Sequence, residues 1–161
     1  ASVVATAGSD GKCAACLDLG AAAAINYRTQ DFVAEVKRVT GGHGADVILD
    51  MVGAKAIADH IALAALGARW VQIGRMGGSA APIDLDLLSK KRVSLIGVTF
   101  RTRDVEEFAA VVRAAWRDLG AMVASGRFAM PVERVFALDA ADAAQEAMRD
   151  NRHLGKFILE A

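Results

Sequence analysis

The chain has 161 residues, 54% of them hydrophobic, and its 19 basic residues balance 19 acidic ones. This neutral balance gives no electrostatic basis for binding nucleic acid or a membrane surface, and aromatic residues, at 6%, are too sparse to suggest base-stacking platforms. No apolar run is long enough to span a bilayer. Two cysteines are too few for a disulfide scaffold, so we expect a cytoplasmic protein.

Predicted strands and helices alternate over most of the chain. Short apolar runs predict strands at 2–7, 21–27, 45–53, 68–74 and 92–100. Apolar residues at helical spacing predict helices at 9–20, 29–42, 54–67 and 103–126. This alternation indicates right-handed βαβ crossovers, so we expect an α/β fold with a parallel, Rossmann-like sheet and flanking helices.

The last stretch has a different pattern. It predicts a strand, a helix and a final strand at 130–138, 139–151 and 155–161. The pattern breaks between Gly126 and Pro131, which is the best candidate for a domain boundary. We therefore expect a nucleotide-binding domain at 1–127 and a separate C-terminal segment at 128–161.

The glycine-rich turn of dinucleotide-binding folds is missing from the sequence. Such folds normally open with a strand and a G-x-G-x-x-G turn, whose amides and helix dipole hold the pyrophosphate. Neither of the glycine-rich stretches at 41–44 and 74–78 joins a strand to a helix at that spacing, and we interpret both as ordinary turns. We expect that the sheet is truncated at its N-terminus, with the first strand and this turn absent.

The residues after the first predicted strand form a candidate phosphate site. A carboxylate at this strand end would bind the ribose hydroxyls of NAD and repel an extra phosphate, and no acid stands at the tip. Ser9 offers a hydroxyl near a helix N-terminus, Lys12 offers a positive charge, and Tyr27 reaches the same edge from the next strand. Alternatively, Lys12 is a solvated helix residue and Tyr27 a strand-end aromatic. Asp10 is either a cap residue or a negative charge beside the site.

Later strand ends offer backbone that can approach a ligand. Glycines at strand tips, such as Gly53 and Gly74, leave room for this approach. Arg75 and Met76 follow between a buried strand and paired glycines, or they belong to a solvent-exposed loop. The last of these strand ends carries Val98, Thr99 and Phe100, of which the first two are equally typical of plain strand residues.

No catalytic acid, base or nucleophile stands out. The histidines His43, His60 and His153 are scattered, and we interpret His60 as half-buried structure within a helix. Cys13 and Cys16 form a C-x-x-C pair near a helix N-terminus, which is compatible with redox chemistry. A zinc site would need two further ligands, and the surrounding alanines and leucines favour small apolar fillers of a packed helix.

Four stretches, taken in order, resemble one family. Those at 5–32, 41–53, 73–78 and 151–161 are similar to the zinc-independent quinone oxidoreductases of the medium-chain dehydrogenase/reductase superfamily, in the branch of zeta-crystallin. The resemblance runs over essentially the whole chain but covers only the second half of such an enzyme. It implies that 128–161 would complete an absent GroES-like catalytic domain.

This resemblance implies NADPH-dependent reduction of quinones by hydride transfer, for which no protein nucleophile is needed. An enoyl or 2-alkenal reductase of the same superfamily and a non-catalytic nucleotide-binding or assembly module are the alternatives. The resemblance also implies a homodimer paired through the strand at 92–100. At the adenosine 2′-phosphate, the implied contacts are Ser9, Lys12 and Tyr27, with Gly8 beside them. At the nicotinamide half, they are Gly53, Gly74, Arg75, Met76, Val98, Thr99, Phe100 and Asn151.

Overall fold

The computed structural model describes residues 1–128 and 130–161, which form two compact units, 1–102 and 103–161. In the first unit, strands and helices alternate. Its strands are β1 (Val4–Ala7), β2 (Ala23–Asn26), β3 (Ala45–Asp50), β4 (Ala64–Gln72) and β5 (Ser94–Gly97). Its helices are α1 (Asp10–Asp18), α2 (Phe32–Val39), α3 (Ile57–Leu63) and α4 (Leu85–Lys91), and a 3₁₀ turn covers Ala54–Ala56.

The strand pairs of this unit are parallel. β1 pairs with β2, while β3, β4 and β5 form a second sheet in that order. Parallel pairing of consecutive strands requires crossover connections, which α1, α3 and α4 supply, while α2 connects β2 of the first sheet to β3 of the second. The predicted α/β fold with parallel strands and flanking helices is therefore confirmed. In such a fold, ligands bind at the carboxyl ends of the strands, so we expect ligand-binding residues in the turns that follow β1 to β5.

The core of the first unit comes from the apolar runs that predicted the strands. Ile25 of β2, Ile48 of β3 and Trp70 of β4 pack in one cluster with Val36 of α2 and Ile61 of α3. Trp70 is fully buried, and Ile61 is 1% exposed. Burying such a side chain contributes about 1.5–3 kcal/mol, so this core fixes the strands and the turns that leave them.

The second unit contains α5 (Val105–Ala124), β6 (Val132–Ala137), α6 (Ala141–Arg149) and β7 (Lys156–Glu160), with a 3₁₀ turn at Leu138–Ala140. A capping box begins α5: the Glu107 amide donates to Asp104 Oδ1 at 2.8 Å, and the Asp104 amide donates to Glu107 Oε2 at 3.3 Å. β6 and β7 are parallel. Over the described ranges, no helix is both long and apolar enough to cross a membrane.

One predicted helix boundary is wrong. The helix expected over 54–67 ends earlier, because β4 begins at Ala64. Ala64 pairs with Ala45, and the register of β4 against β3 then shifts. Gly67, with φ of 78°, accommodates this irregularity. Alanine favours helix locally, but strand pairing and burial override that preference here.

Helix α4 was not predicted from the sequence. Asp84 caps its N-terminus, where Oδ1 accepts a hydrogen bond from the Leu87 amide at 2.9 Å. Near its C-terminus, Lys91 Nζ donates to the carbonyl oxygens of Ala62 and Ala64, both at 2.8 Å. These bonds satisfy carbonyls at the end of α3, so α4 is held by a contact far away in the sequence.

Candidate functional site

The first candidate group lies where β1 and β2 end. Ser9 is the N-cap of α1, and its Oγ accepts a hydrogen bond from the Lys12 amide at 3.3 Å. Tyr27 follows β2, and its amide donates to the carbonyl oxygen of Ala7 at 3.1 Å. The Tyr27 hydroxyl lies so close to Gly8 that a Cβ there would meet it at 2.7 Å. The turns that carry these predicted residues therefore meet at one edge, with Lys12 one turn into α1.

Asn26 is a buried polar residue of this group that was not predicted from the sequence. It is the last residue of β2 and is 6% exposed. Its Nδ2 donates to Asp10 Oδ1 at 2.7 Å, and its Oδ1 accepts from the Arg28 amide at 3.1 Å. Its own amide donates to Gln30 Oε1 at 3.0 Å. Asn26 thus links the N-terminus of α1 to the turn after β2, and an asparagine that precedes a polar turn is the signal that could have found it.

Arg28 adds a cation to the same edge and was also missed. Its Nε lies 3.4 Å from the position that a Gly8 Cβ would occupy. Its place directly after Tyr27 was the available signal. Asp10, whose role the sequence left open, is not the cap of α1, because Ser9 is. Its carboxylate is bonded to Asn26 instead.

The second candidate group joins the turns after β3 and β4. The carbonyl oxygen of Met51 accepts from the Met76 amide at 3.4 Å, and that of Val52 accepts from the Gly77 amide at 2.7 Å. The two turns are therefore paired backbone to backbone. This pairing brings the predicted residues of two separate strand ends into one structure.

Glycines make this close approach possible. A Cβ at Gly74 would collide with the carbonyl oxygen of Met51, which belongs to the backbone and cannot move aside easily. Gly53 is buried, has φ of 78°, and a Cβ there would lie 2.7 Å from the carbonyl oxygen of Gly78. At the tip of the second turn, Arg75 is exposed and Met76 is 86% exposed.

Asp50 is a buried carboxylate that holds the second candidate group in place. It is the last residue of β3 and is 1% exposed. Its Oδ1 accepts from the amides of Val52 at 2.7 Å and Gly53 at 3.0 Å, and its Oδ2 accepts from Trp70 Nε1 at 3.2 Å. Charge-assisted bonds of this kind are the stronger ones, so Asp50 fixes the turn that carries Gly53.

His60 lies against this anchor. Its Nδ1 is 3.3 Å from Asp50 Oδ2, its side chain is 13% exposed, and its ring meets Trp70 edge-on with centroids 5.4 Å apart. Burial lowers the pKa of His60, and the neighbouring Asp50 carboxylate opposes this shift without cancelling it. His60 is therefore a partly buried structural residue, as expected.

Three further predicted residues, Val98, Thr99 and Phe100, follow β5. The Val98 amide donates to the carbonyl oxygen of Gln72 at 3.3 Å, and the Gln72 side chain donates to the carbonyl oxygen of Gly74, which connects Val98 to the second group. Thr99 and Phe100 follow as exposed residues.

Asn151 belongs to the second unit, whereas both candidate groups belong to the first. It is exposed, has φ of 53°, and its amide donates to the carbonyl oxygen of Met148 at 3.1 Å. Its contact with a cofactor stays a prediction.

The two cysteines are free thiols on α1. Cys13 is 8% exposed, and burial, followed by the neighbouring Cys16 and Asp10, raises the pKa of its thiol. A raised pKa keeps the thiol protonated, which is the opposite of a reactive thiolate. Within residues 1–128 and 130–161, no three His, Cys, Asp or Glu side chains cluster in a way that could hold a metal ion.

Parallel strands whose carboxyl ends carry glycine turns, hydroxyls and cations are the architecture of nucleotide-binding α/β domains. The family model described as zinc-binding dehydrogenase matches residues 1–117. The chain therefore belongs to this family and to the medium-chain dehydrogenase/reductase superfamily that the sequence resemblance predicted, whereas independence of zinc stays a prediction.

Curated relatives align with nearly all of the chain. Quinone oxidoreductase-like protein 2 of Bos taurus is 29% identical over 159 residues, which are 99% of this chain and 45% of that protein. The quinone oxidoreductase of Salmonella typhimurium is 28% identical over 167 residues, covering 99% and 49%. A mycocerosic acid synthase-like polyketide synthase of Mycobacterium tuberculosis is 28% identical over 168 residues, covering 99% and 8%. The chain thus spans less than half the length of these relatives.

Solved structures share the fold. The Escherichia coli quinone oxidoreductase complexed with NADPH has a TM-score of 0.84 at 24% identity, covering 99% of this chain and 49% of that one. A quinone oxidoreductase of Pseudomonas syringae pv. Tomato has a TM-score of 0.82 at 25% identity, covering 99% and 49%. An NAD-dependent alcohol dehydrogenase has a TM-score of 0.82 at 27% identity, covering 99% and 44%. These likenesses confirm the Rossmann-like fold.

Proposed function

We propose that this chain forms the cofactor-binding part of an NADPH-dependent oxidoreductase that reduces quinones by hydride transfer. The observation that carries the proposal is the edge at Gly8, where the Tyr27 hydroxyl and the Arg28 guanidinium converge directly before Ser9, the N-cap of α1. The Salmonella typhimurium quinone oxidoreductase and the Bos taurus quinone oxidoreductase-like protein 2, each aligned with 99% of the chain, support the reaction class.

The adenosine end of the proposed site fits a 2′-phosphate. Such a group is anionic and accepts several hydrogen bonds, and it binds best to cations and hydroxyl donors near a helix N-terminus. Ser9 and Tyr27 supply hydroxyls, while Lys12 and Arg28 supply positive charge within the same two turns. Arginine suits phosphate especially well, because its guanidinium presents several donors in a rigid plane. In this proposal, Gly8 leaves room for the Tyr27 ring.

The nicotinamide end of the proposed site is built from backbone. When bound, the nicotinamide supplies the hydride, and the residues of the chain only bind and orient it. Gly53 and Gly74 let the two turns pack backbone against backbone, and Asp50 holds the first of these turns in place. The other residues proposed to contact the nicotinamide half are Arg75, Met76, Val98, Thr99, Phe100 and Asn151.

The division of labour along the chain is part of the same proposal. In it, residues 1–127 bind the cofactor, and 128–161 complete a catalytic domain that lies outside this chain. Turnover then requires the full-length gene product, whereas cofactor selectivity is encoded here. The protein works in a reducing cytoplasm, which suits its two free thiols.

A second candidate is an enoyl or 2-alkenal reductase of the same superfamily. The alignment of 99% of the chain with part of a polyketide synthase shows that similar sequences also occur in enzymes other than quinone oxidoreductases. A third, from another class, is a non-catalytic nucleotide-binding or assembly module. Steady-state assays of the full-length gene product with a quinone and with a 2-alkenal separate the three, since the module turns over neither substrate.

Calorimetric titration with NADPH and with NADH tests the cofactor assignment, in this chain and in the full-length gene product. We expect tighter binding of NADPH. Lys12→Glu should weaken the binding of NADPH by about tenfold or more, because a charge-assisted phosphate contact contributes roughly 1.5–3 kcal/mol. The affinity for NADH, which lacks this phosphate, should change by about twofold at most. Lys37→Glu is the matched control, an exposed lysine on α2. Equal affinity of the unmodified protein for both cofactors would rule out the 2′-phosphate site.

A further inference from the structure

We propose that Asn26 sets the cofactor preference by holding the Asp10 carboxylate away from the 2′-phosphate site. The inference rests on the proposed function, because it presumes that this edge receives NADPH. Asn26 is in this view a positioning residue, since it acts on the cofactor only through Asp10.

Asp10 poses an electrostatic problem for phosphate binding. It is the first residue of α1 and directly follows Ser9, so its carboxylate starts at the same helix N-terminus that would receive the anion. A carboxylate directly beside a dianionic phosphate repels it much more than it repels the uncharged ribose hydroxyl of NADH, and this repulsion weakens as the two charges move apart. A free Asp10 would therefore favour NADH, and a site selective for NADPH needs a device that restrains it.

Asn26 supplies this restraint from a fixed position. Its Nδ2 lies 2.7 Å from Asp10 Oδ1, and the residue is only 6% exposed, so the side chain has little freedom to move. Its Oδ1 is committed to the Arg28 amide at 3.1 Å. Because the carboxamide oxygen is engaged there, its NH₂ group must face Asp10. One side chain therefore binds the carboxylate and also shapes the turn that carries Arg28.

Asn26 and Tyr27 are consecutive residues at the end of β2. Neighbouring residues at a strand end direct their side chains to opposite faces, and the Tyr27 amide still continues the ladder through Ala7. The Tyr27 hydroxyl lies over Gly8, whereas Asn26 draws Asp10 towards its own face. In this proposal, the bond to Asn26 keeps the Asp10 carboxylate from turning towards the hydroxyl and guanidinium donors at Gly8.

Asn26→Ser is the test variant. A serine hydroxyl still accepts from the Arg28 amide in a local turn, but it is too short to reach Asp10. Binding of NADPH, NADH and 2′,5′-ADP is measured by calorimetry. We expect the ratio of NADPH to NADH affinity to fall about fivefold to tenfold, with a parallel loss for 2′,5′-ADP, and high salt should diminish the effect because it screens the released charge.

Asp10→Asn is the partner variant. It distinguishes a role of Asn26 in positioning Asp10 from a general structural defect. Alone, it should leave the affinity ratio within about twofold, because the carboxylate is already restrained. In the double variant, the loss of ratio caused by Asn26→Ser should disappear, since no charge is left to release. A purely structural defect would instead weaken both cofactors equally and would persist in the double variant.

The outcomes distinguish this inference from the proposed function. If the unmodified protein binds NADPH and NADH equally, both fail. If it prefers NADPH but Asn26→Ser keeps the ratio, only the role of Asn26 is overturned. If circular dichroism shows that Asn26→Ser does not fold, Asp10→Asn becomes the deciding variant, because Asp10 is exposed. A rise of about fivefold or more in its ratio of NADPH to NADH affinity would show that the Asp10 charge faces the phosphate site, and would overturn the inference.

Discussion

Two buried polar side chains stand at the ends of strands and organise the two candidate groups. Asn26 and Asp50 are the buried polar residues in the part of the chain that the structure describes. Each is the last residue of its strand, and each accepts hydrogen bonds from amides of the following turn, at Arg28 or at Val52 and Gly53. Burying a polar group costs free energy unless it is bonded, so these bonds stabilise the turns as well as the residues.

The pKa of His60 makes stability depend on pH. Burial lowers this pKa in the folded protein, whereas the unfolded chain keeps the ordinary value of about 6.5. Below that value the unfolded chain binds a proton that the folded chain does not, and protons then favour unfolding. We expect the free energy of unfolding to decrease as pH falls from about 7 to the lowered pKa of the folded state, as measured by urea unfolding at several pH values.

Two glutamine variants assign this dependence to one histidine. His60→Gln should flatten the dependence of unfolding free energy on pH in that range. His43→Gln is the control, because that side chain is 61% exposed and pairs with the exposed Asp46. A slope in His60→Gln equal to that of the unmodified protein would assign the pH dependence to other groups.

The paired turns after β3 and β4 act as one element. Gly74→Ala should lower the free energy of unfolding by about 2 kcal/mol or more, because the added Cβ would collide with the backbone of Met51. Gly11→Ala on α1 is the control, since its Cβ would meet nothing within 4 Å and alanine should stabilise the helix by about 0.5–1 kcal/mol. Thermal unfolding of both variants measures the difference. Equal shifts in the two would mean that the turns separate easily.

Local signals account for the parts of the fold that could be predicted. The strands follow from apolar runs bounded by glycine, and the start of α1 follows from Ser9, whose bond to Lys12 spans one helical turn. The end of α3 could not be predicted, because β4 begins where Ala64 pairs with Ala45, a contact between separate strands. Likewise, α4 is held by Lys91, which bonds carbonyls at the end of another helix.

The same distinction applies to the candidate site. The strand-end glycines and Tyr27 could be found from position alone, because the carboxyl ends of parallel strands are where ligands bind. The partnership of Asn26 with Asp10 spans 16 positions, and that of Asp50 with Trp70 spans 20, so neither is visible as a local pattern. These pairings depend on how the helix and strands pack, which a single sequence does not display.

Among the residues that the structure describes, β5 is an edge strand of its sheet. It lies at the end of the sheet ordered β3, β4, β5, and each of its four residues is exposed. Leu95 and Ile96 are 48% and 39% exposed. An apolar edge strand leaves unpaired backbone groups that can pair with a second copy. This edge gives a physical basis to the prediction of a homodimer through 92–100.

Ile96→Lys tests the dimer. A two-fold interface would bring both copies of the new lysine close together, and like charges on an edge strand oppose pairing. We expect the unmodified protein to sediment as a dimer and Ile96→Lys as a monomer at concentrations of about 1–100 μM, a range in which interfaces of moderate affinity dissociate. Leu85→Lys, on α4 and 64% exposed, is the matched control and should stay dimeric. A monomer at the highest concentration of the unmodified protein would contradict pairing through β5, and a dimer of Ile96→Lys would place the interface elsewhere.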